Sequence, residues 1–275
     1  MGLQMQRLRN IIHLALDLDG TLYLGGRLFH TTIPLLQALG RLGIGKTFFT
    51  NNSSRSTSQY LEHLRSMGIP ADADDIYSST LCTIDYLRSE RPEIRSLYVL
   101  GTPALQQEFA QAGFVLRGED TESPPDAVIV GFDTTLSYAR VCQAAWWISR
   151  GRPFIATHPD RICPTDKHTL LPDCGAICKM LSCATGREPD IILGKPDRRM
   201  LAGVMRRHNL RPEQLAVVGD RLYTDMLMAR SAGAMSILVL TGETTPQQAR
   251  AADPQPDFVL NNIGELADLL ADSRR

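Results

Sequence analysis

Asp17 and Asp19 are separated by a single residue, follow an apolar run at residues 11–16 that only His13 interrupts, and lead at once into Gly20 and Thr21. A run of that length reads as a strand, and in open α/β sheets ligands bind in the crevice at the carboxyl ends of the strands. Two carboxylates at such an end, beside a glycine that lets the chain turn, form an anionic cluster. Like charges this close raise each other's pKa unless a cation or hydrogen bonds compensate them. A hard divalent ion with oxygen ligands, Mg2+ above all, is the natural compensator. The alternative reading of the same residues is an exposed Asp-x-Asp-Gly turn without chemistry, since Asp and Gly are common in turns.

Three further polar segments occur in order along the chain. Phe48-Phe49-Thr50-Asn51-Asn52 closes a second strand candidate, Gly194-Lys195-Pro196-Asp197 carries a lysine, and Val218-Gly219-Asp220-Arg221-Leu222-Tyr223-Thr224-Asp225 carries two acids. With Asp17-Leu18-Asp19-Gly20-Thr21-Leu22 they resemble the four motifs of the haloacid dehalogenase superfamily, spread over the whole chain. The resemblance implies a Mg2+-dependent phosphatase of small phosphomonoesters, such as nucleoside monophosphates or sugar phosphates. Asp17 is placed as the nucleophile, because a carboxylate that attacks a phosphoryl group splits one hard displacement into two easier ones. Asp19 is placed as the general acid and then base. Mg2+ would sit against Asp17 and Asp220, with the Asp19 backbone carbonyl as a further ligand and Asp225 holding its outer shell. The Thr50 hydroxyl, with N–H groups around Asn51 and Asn52, is placed on the phosphoryl oxygens, and Lys195 on the negative charge at phosphorus. Dehalogenation itself is disfavoured, because dehalogenases of the superfamily lack the second aspartate. Two other outcomes use the same residues: a phosphotransferase with the same aspartyl-phosphate, and a non-catalytic phosphometabolite-binding or regulatory protein.

Finer cues resemble the class IIA branch and its NagD and para-nitrophenyl-phosphatase group. They are Thr50-Asn51-Asn52-Ser53, Val130-Gly131-Phe132-Asp133, Ile155-Ala156-Thr157-His158-Pro159-Asp160 and Thr185-Gly186-Arg187-Glu188-Pro189, with Cys174-Gly175-Ala176-Ile177-Cys178 similar to NagD in particular. Members of that branch carry an α/β cap inserted between the second and third motifs. Asp133, His158 and Asp160 are its candidate specificity residues, although Asp133 also reads as the N-cap of the helix that follows. His158 stands where the group usually has asparagine. Residues 171–175 replace a loop that is richer in proline and glycine elsewhere in the group.

The elements that must position these residues alternate. Strand candidates lie at 11–16, 44–50, 97–100, 127–130, 153–157, 190–193, 215–218, 236–240 and 257–260. Ile33, Leu35, Leu36, Leu39 and Leu42 repeat at helical spacing, as do Tyr60, Leu61, Leu64 and Met67 ahead of Gly68. Alternation of this kind predicts an α/β fold: a doubly wound parallel sheet with helices on both faces. The clearest polar motifs lie at the two ends, and irregular stretches at 118–126 and 163–172 fall in the middle. The expected organisation is a core from residues 1–79 and 185–275, with a smaller α/β cap inserted at 80–184.

Composition narrows the field. The 275 residues carry 29 basic and 30 acidic side chains, so no bulk field attracts nucleic acid or anionic lipid. No apolar run approaches the roughly 20 residues that cross a bilayer, and residues 1–10 lack a signal-peptide pattern. Met1-Gly2 opens a myristoylation-like pattern, but Gln6 stands where Ser or Thr is required. Six cysteines without CxxC spacing predict free thiols in a reducing cytoplasm. Cys163, His168, Cys174, Cys178 and Cys183 match no common zinc knuckle, and read as buried structural cysteines near a histidine. Gly40 to Thr47 satisfies the G-x-x-x-x-G-K-T phosphate-loop pattern, yet a helical stripe precedes it and a strand follows, the reverse of the order that function needs. Trp146-Trp147 lies on a helix expected at 138–149 and reads as core or subunit packing, consistent with a homodimer through the cap.

Overall fold

The computed structural model describes residues 2–118, 122–165 and 168–274. Of the two irregular stretches, residues 119–121 and 166–167 lie outside the described residues. The chain divides into two compact units, one from Met1–Phe49, Leu61–Tyr77 and Met200–Arg275, the other from Thr50–Tyr60 and Ser78–Arg199.

The first unit is organised by a six-stranded sheet in the order Phe258–Leu260, Met235–Val239, Leu215–Gly219, His13–Asp17, Gly45–Thr50, Ile76–Ser78. His13–Asp17 runs parallel to both of its neighbours. Counted in chain order, the spatial sequence of strands is 3-2-1-4-5-6, the doubly wound arrangement whose switch point lies between strands 1 and 4. Those are His13–Asp17 and Leu215–Gly219. All residues of both are buried, as a parallel strand covered on two faces requires, and this is why they read as unbroken apolar runs. Helix Thr32–Leu42 buries Leu35, Leu36 and Leu39 and packs against helix Ile263–Asp272. It stops at Gly43, whose φ of 64° suits the left-handed cap that glycine accepts without strain. The strand Gly45–Thr50 comes next, so the G-x-x-x-x-G-K-T segment runs from helix to strand and presents no helix N-terminus to a phosphate. Ile76–Ser78 was not foreseen as a strand. Three residues are too few to show a period, and it forms because the edge of Gly45–Thr50 is there to pair with.

The second unit carries a five-stranded parallel sheet in the order Ile191–Ile192, Phe154–Ala156, Ala127–Val130, Ser96–Leu100, Val115–Leu116. In chain order this reads 5-4-3-1-2, the other common doubly wound pattern. Helices Tyr138–Ser149 and Cys174–Thr185 cover one face, burying Trp147, Ile148, Ile177 and Leu181 against Val128, Val130 and Phe154. The cysteines divide by helical phase. Cys174 and Cys178, one turn apart, are buried, whereas Cys183 lies on the opposite side of the same helix and is exposed, and Cys163 is half-buried. Among the described residues no helix is long and apolar enough to cross a membrane.

Candidate active site

Asp17 ends the strand His13–Asp17 and is itself nearly buried. Past it the chain folds back on itself, the N–H of Leu22 donating to the Leu18 carbonyl at 2.9 Å. The turn brings Thr21 under the carboxylate, where its hydroxyl donates to Asp17 Oδ2 at 3.2 Å. Gly20, with φ of +85°, is required twice over: by that backbone angle, and because a side chain there would run into the Asp220 carboxylate. Asp19 is half-buried and its backbone bridges to Tyr23.

Asp220 follows the strand Leu215–Gly219 directly, so it lies at the same end of the sheet as Asp17, across the switch point. A single π-helical turn, Leu222–Met226, then carries Asp225. Such wide turns recur at functional sites because they re-aim a side chain within a helix. The Asp225 side chain packs over Gly219, where a Cβ would have no room, and its Oδ2 accepts the N–H of Arg221 at 3.2 Å. One carboxylate oxygen from each of Asp17, Asp220 and Asp225 lies within 4.8 Å of the others.

The two oxygens of Asp220 are not equally satisfied. Asp220 Oδ2 accepts the N–H of Glu243 at 2.6 Å, while its Oδ1 is buried without a hydrogen-bond partner among the described residues. Burial, and then the carboxylates of Asp17 and Asp225, push the Asp220 acid up to about 7. A buried acceptor with nothing to accept from costs on the order of 1–3 kcal/mol. Three converging carboxylates and an unmatched hard oxygen are the donor set a divalent cation such as Mg2+ fits.

The sequence reading missed the third wall of this cluster. Thr241 donates its hydroxyl to the Gly20 carbonyl at 2.6 Å, Glu243 caps Asp220 through its N–H, and a Cβ on Gly242 would fall inside the Asp220 carboxylate. The available signal was the run Thr241-Gly242-Glu243-Thr244 placed, like the other motifs, just after an apolar strand.

The other motif residues belong to the second unit. Thr50 is the last residue of its strand, and its Oγ1 accepts the N–H of Asn52 at 3.1 Å, which leaves the hydroxyl proton free to donate elsewhere. Asn51 is bound to the lysine motif on both edges of its amide. Its Oδ1 accepts from the Lys195 N–H at 2.7 Å and its Nδ2 donates to the Lys195 carbonyl at 3.0 Å. The same Nδ2 lies 3.2 Å from Asp160 Oδ1. Asn51 therefore fixes the backbone that presents Lys195, and Ser79 in turn donates to the Asn51 carbonyl at 2.6 Å. Gly194, with φ of +70°, clears the way, because a Cβ there would press on Asn51, His158 and the Thr157 carbonyl. Lys195 itself is buried.

Of the three remaining candidates, His158 and Asp160 come within 4.8 Å of each other at their ligand atoms. Asp133 is buried and paired with Arg140 at 2.8 Å, and its Oδ1 accepts from the N–H and hydroxyl of Thr135. It is not the N-cap expected of it: Ser137 caps helix Tyr138–Ser149, accepting from the Arg140 N–H. His158 is fully buried between the Thr157 hydroxyl at 2.9 Å and Asp173 at 2.8 Å. Burial alone would lower its pKa, but the Asp173 carboxylate, with Cys174 and Asp160 behind it, holds the imidazole at about 9. Asp173, which the sequence reading passed over, also accepts the N–H of Cys174 at 2.6 Å.

Comparison with known proteins agrees with this geometry. Residues 14–115 match the family model of haloacid dehalogenase-like hydrolases and residues 192–266 a second model of HAD-like hydrolases. The chain is 32% identical to a glycerol-3-phosphate phosphatase of Gallus gallus, over 96% of this chain and 94% of that one. Among solved structures it is similar to a 4-nitrophenylphosphatase of Thermotoga maritima, with a TM-score of 0.89 and 40% identity, covering 95% of this chain and 98% of the other. It is also similar to a glycerol phosphate phosphatase of Mycobacterium tuberculosis in complex with magnesium, with a TM-score of 0.85 and 30% identity, covering 96% and 77%. The chain belongs to the haloacid dehalogenase-like hydrolase family, in its class IIA group of NagD and para-nitrophenyl-phosphatase-like proteins, and is a phosphoric monoester hydrolase.

Proposed function

We propose that the chain hydrolyses small phosphomonoesters, sugar and polyol phosphates or nucleoside monophosphates, through a phosphorylated Asp17 and with Mg2+. The observation that carries the reading is the Asp17, Asp220 and Asp225 cluster with its unmatched Asp220 oxygen. The names of the relatives support the substrate class. Asp17, Asp220, the Asp19 carbonyl and, through the outer shell, Asp225 would hold the ion, whose charge lets an anionic nucleophile approach an anionic phosphoryl group.

Asp17 attacks phosphorus through a carboxylate oxygen, held in rotation by the Thr21 hydroxyl. The new O–P bond forms as the ester P–O bond breaks, and Asp19 gives its proton to the departing alkoxide. Asp19 then removes a proton from water, whose oxygen attacks the aspartyl-phosphate, releasing inorganic phosphate and restoring the Asp17 carboxylate. In this reading the Thr50 hydroxyl and the backbone around Asn51 and Asn52 bind phosphoryl oxygens, Lys195 balances their charge, and Asn51 holds Lys195 in place. The inserted segment at 80–184 acts as a cap that excludes water and samples the leaving group, with Asp133, His158 and Asp160 shaping it. The low cysteine content without CxxC spacing supports a reducing cytoplasm, and the half-exposed Trp146 supports a homodimer through the cap.

Turnover of para-nitrophenyl phosphate tests this directly. Wild type with Mg2+ hydrolyses it, EDTA abolishes the activity, and Asp17→Asn lowers it by at least about a thousandfold. Activity that persists in Asp17→Asn would overturn the assignment of the nucleophile.

A further inference from the structure

The end of the six-stranded sheet opposite Asp17 carries a second concavity, lined wholly by residues of the first unit and about 600 Å³ in volume. One wall is apolar: Ile33, Leu36 and Leu39 of helix Thr32–Leu42, with Ile44 beyond it. The other is polar: His13 and Lys46 at the amino ends of their strands, Asp75, and His208 at the end of helix Arg198–His208. A cleft of this size with an apolar wall and a few convergent polar groups is the ordinary form of a small-molecule site. It also contains Gly40, Gly45 and Lys46 of the G-x-x-x-x-G-K-T segment, which the phosphatase reading leaves without a role.

The polar wall is built rather than incidental. Thr47 Oγ1 lies 2.8 Å from His13 Nε2 and 3.1 Å from His208 Nε2, and the two imidazoles stack with centroids 4.4 Å apart. Gly45 is obligatory beside them, since a Cβ there would occupy the His13 ring. One hydroxyl shared by two imidazoles is satisfied when both rings are neutral, one donating and one accepting. Burial, and then His208, lower His13 to about 4, and burial also lowers His208, so both rings favour the neutral form at neutral pH.

What remains is the Lys46–Asp75 pair at 2.9 Å, and the two partners are not equivalent. The Asp75 carboxylate also accepts the N–H of Asp72 at 3.0 Å and so holds the turn Ala73–Asp75. Lys46 has three N–H donors, and Asp75 is the one hydrogen-bond partner described for them. The spare capacity is therefore in donors, next to an apolar wall. A polyphosphate is a poor match, because among the described residues Lys46 is the one lysine or arginine lining the cavity and no row of helix N-terminal amides faces it, and Asp75 would repel the added charge.

We propose that this cleft is a second binding site, separate from the phosphatase centre, for a small carboxylate with an apolar body. The carboxylate docks on Lys46 and the body lies on Ile33, Leu36 and Leu39. A simple organic acid and an apolar α-amino acid share that chemistry, the latter placing its ammonium on Asp75.

Isothermal titration of the full chain in EDTA with 3-phenylpropionate, L-phenylalanine and 2-phenylethylamine tests the proposal. The acid should bind at one site with a dissociation constant of roughly 0.1–1 mM, as suits so small a ligand, and the amine should not bind. Lys46→Gln should weaken binding about tenfold or more. Gly40→Phe should abolish it, and the fold should survive, because a Cβ at Gly40 meets nothing within 4 Å and glycine is the poorer residue inside a helix. A melting curve of each variant checks that it is folded. Asp17→Asn should bind the acid as wild type does, whatever its phosphatase activity. L-phenylalanine binding as tightly as the acid assigns the site to amino acids; weaker binding assigns it to simple carboxylates. No saturation by either up to about 10 mM, or binding that survives both Gly40→Phe and Lys46→Gln, would overturn the proposal.

Discussion

Two clusters of ionisable side chains meet the same distance test. Asp17, Asp220 and Asp225 in the first unit, and His158, Asp160 and Asp173 in the second, each bring three ligand atoms within 4.8 Å of one another. Their electrostatics are opposite. In the second cluster a fully buried imidazole faces Asp173, both ring nitrogens have partners, and Asp160 accepts from Asn51. In the first, three acids face one another, one buried oxygen has nothing to accept from, and the Asp220 acid is driven up to about 7. Proximity of ligand types thus does not make a metal centre. A buried carboxylate oxygen with nothing to accept from is the better sign, and a trio whose imidazole and acids are paired is better understood as a strut.

The sharpest way to break this contrast is to unbalance the second cluster. His158→Asn leaves the Asp173 carboxylate buried without its counter-charge and should cost about 3–5 kcal/mol in denaturant unfolding. Asp173→Asn made on top of it should recover part of that loss. The pair also sets a pH dependence. Because the folded-state pKa of His158 is raised to about 9, its contribution to stability is complete below about 6.5 and is lost as pH rises through 9. The melting temperature of wild type should fall over that window, and more shallowly in His158→Asn. If Asp173 were instead a metal ligand, Mg2+ would still raise the melting temperature of Asp220→Asn, and would no longer do so once His158→Asn was added to it.

The complementary change should act on chemistry and spare the fold. Asp220→Asn is expected to lower para-nitrophenyl phosphate turnover by roughly a hundredfold or more and to remove the Mg2+-induced rise in melting temperature. Without the ion it should melt no lower than wild type, since it takes away one of three repelling charges. A large loss of stability in Asp220→Asn without metal would contradict the unbalanced reading. Gly242→Ala should have a smaller effect, about tenfold on turnover, by pushing the Asp220 carboxylate aside. The smallest change belongs to Thr21→Val, which removes the 3.2 Å bond to Asp17 and should cost a few-fold in turnover at unchanged substrate affinity.

Much of the first cluster was legible because its parts are local. Asp17 and Asp220 each end an apolar strand, and such strands are visible as unbroken runs when both faces are buried. Gly20, directly after Asp19, marked the turn. What stayed hidden is mostly what depends on distant partners. Thr241, Gly242 and Glu243 matter because they close over Gly20 and Asp220, more than two hundred residues away in the case of the Thr241–Gly20 bond. Asn51 reads as a phosphate ligand through its backbone N–H, and the sequence does not show that its side chain is bound to the Lys195 backbone. His158 and Asp133 read as candidate specificity residues, and the sequence does not show that both are buried against partners of opposite charge.

The amino-acid sequence by itself determined the α/β alternation and the family and pointed to the acids proposed for the chemistry, because these depend on short-range pattern: apolar period, turn residues and the few side chains that follow each strand. Tertiary structure alone decided which charges are compensated and which are not. Charge balance is a sum over neighbours in space, and neither the unmatched oxygen of Asp220 nor the neutral His13–His208 pair at the far end of the sheet can be read from residues next to them in the chain.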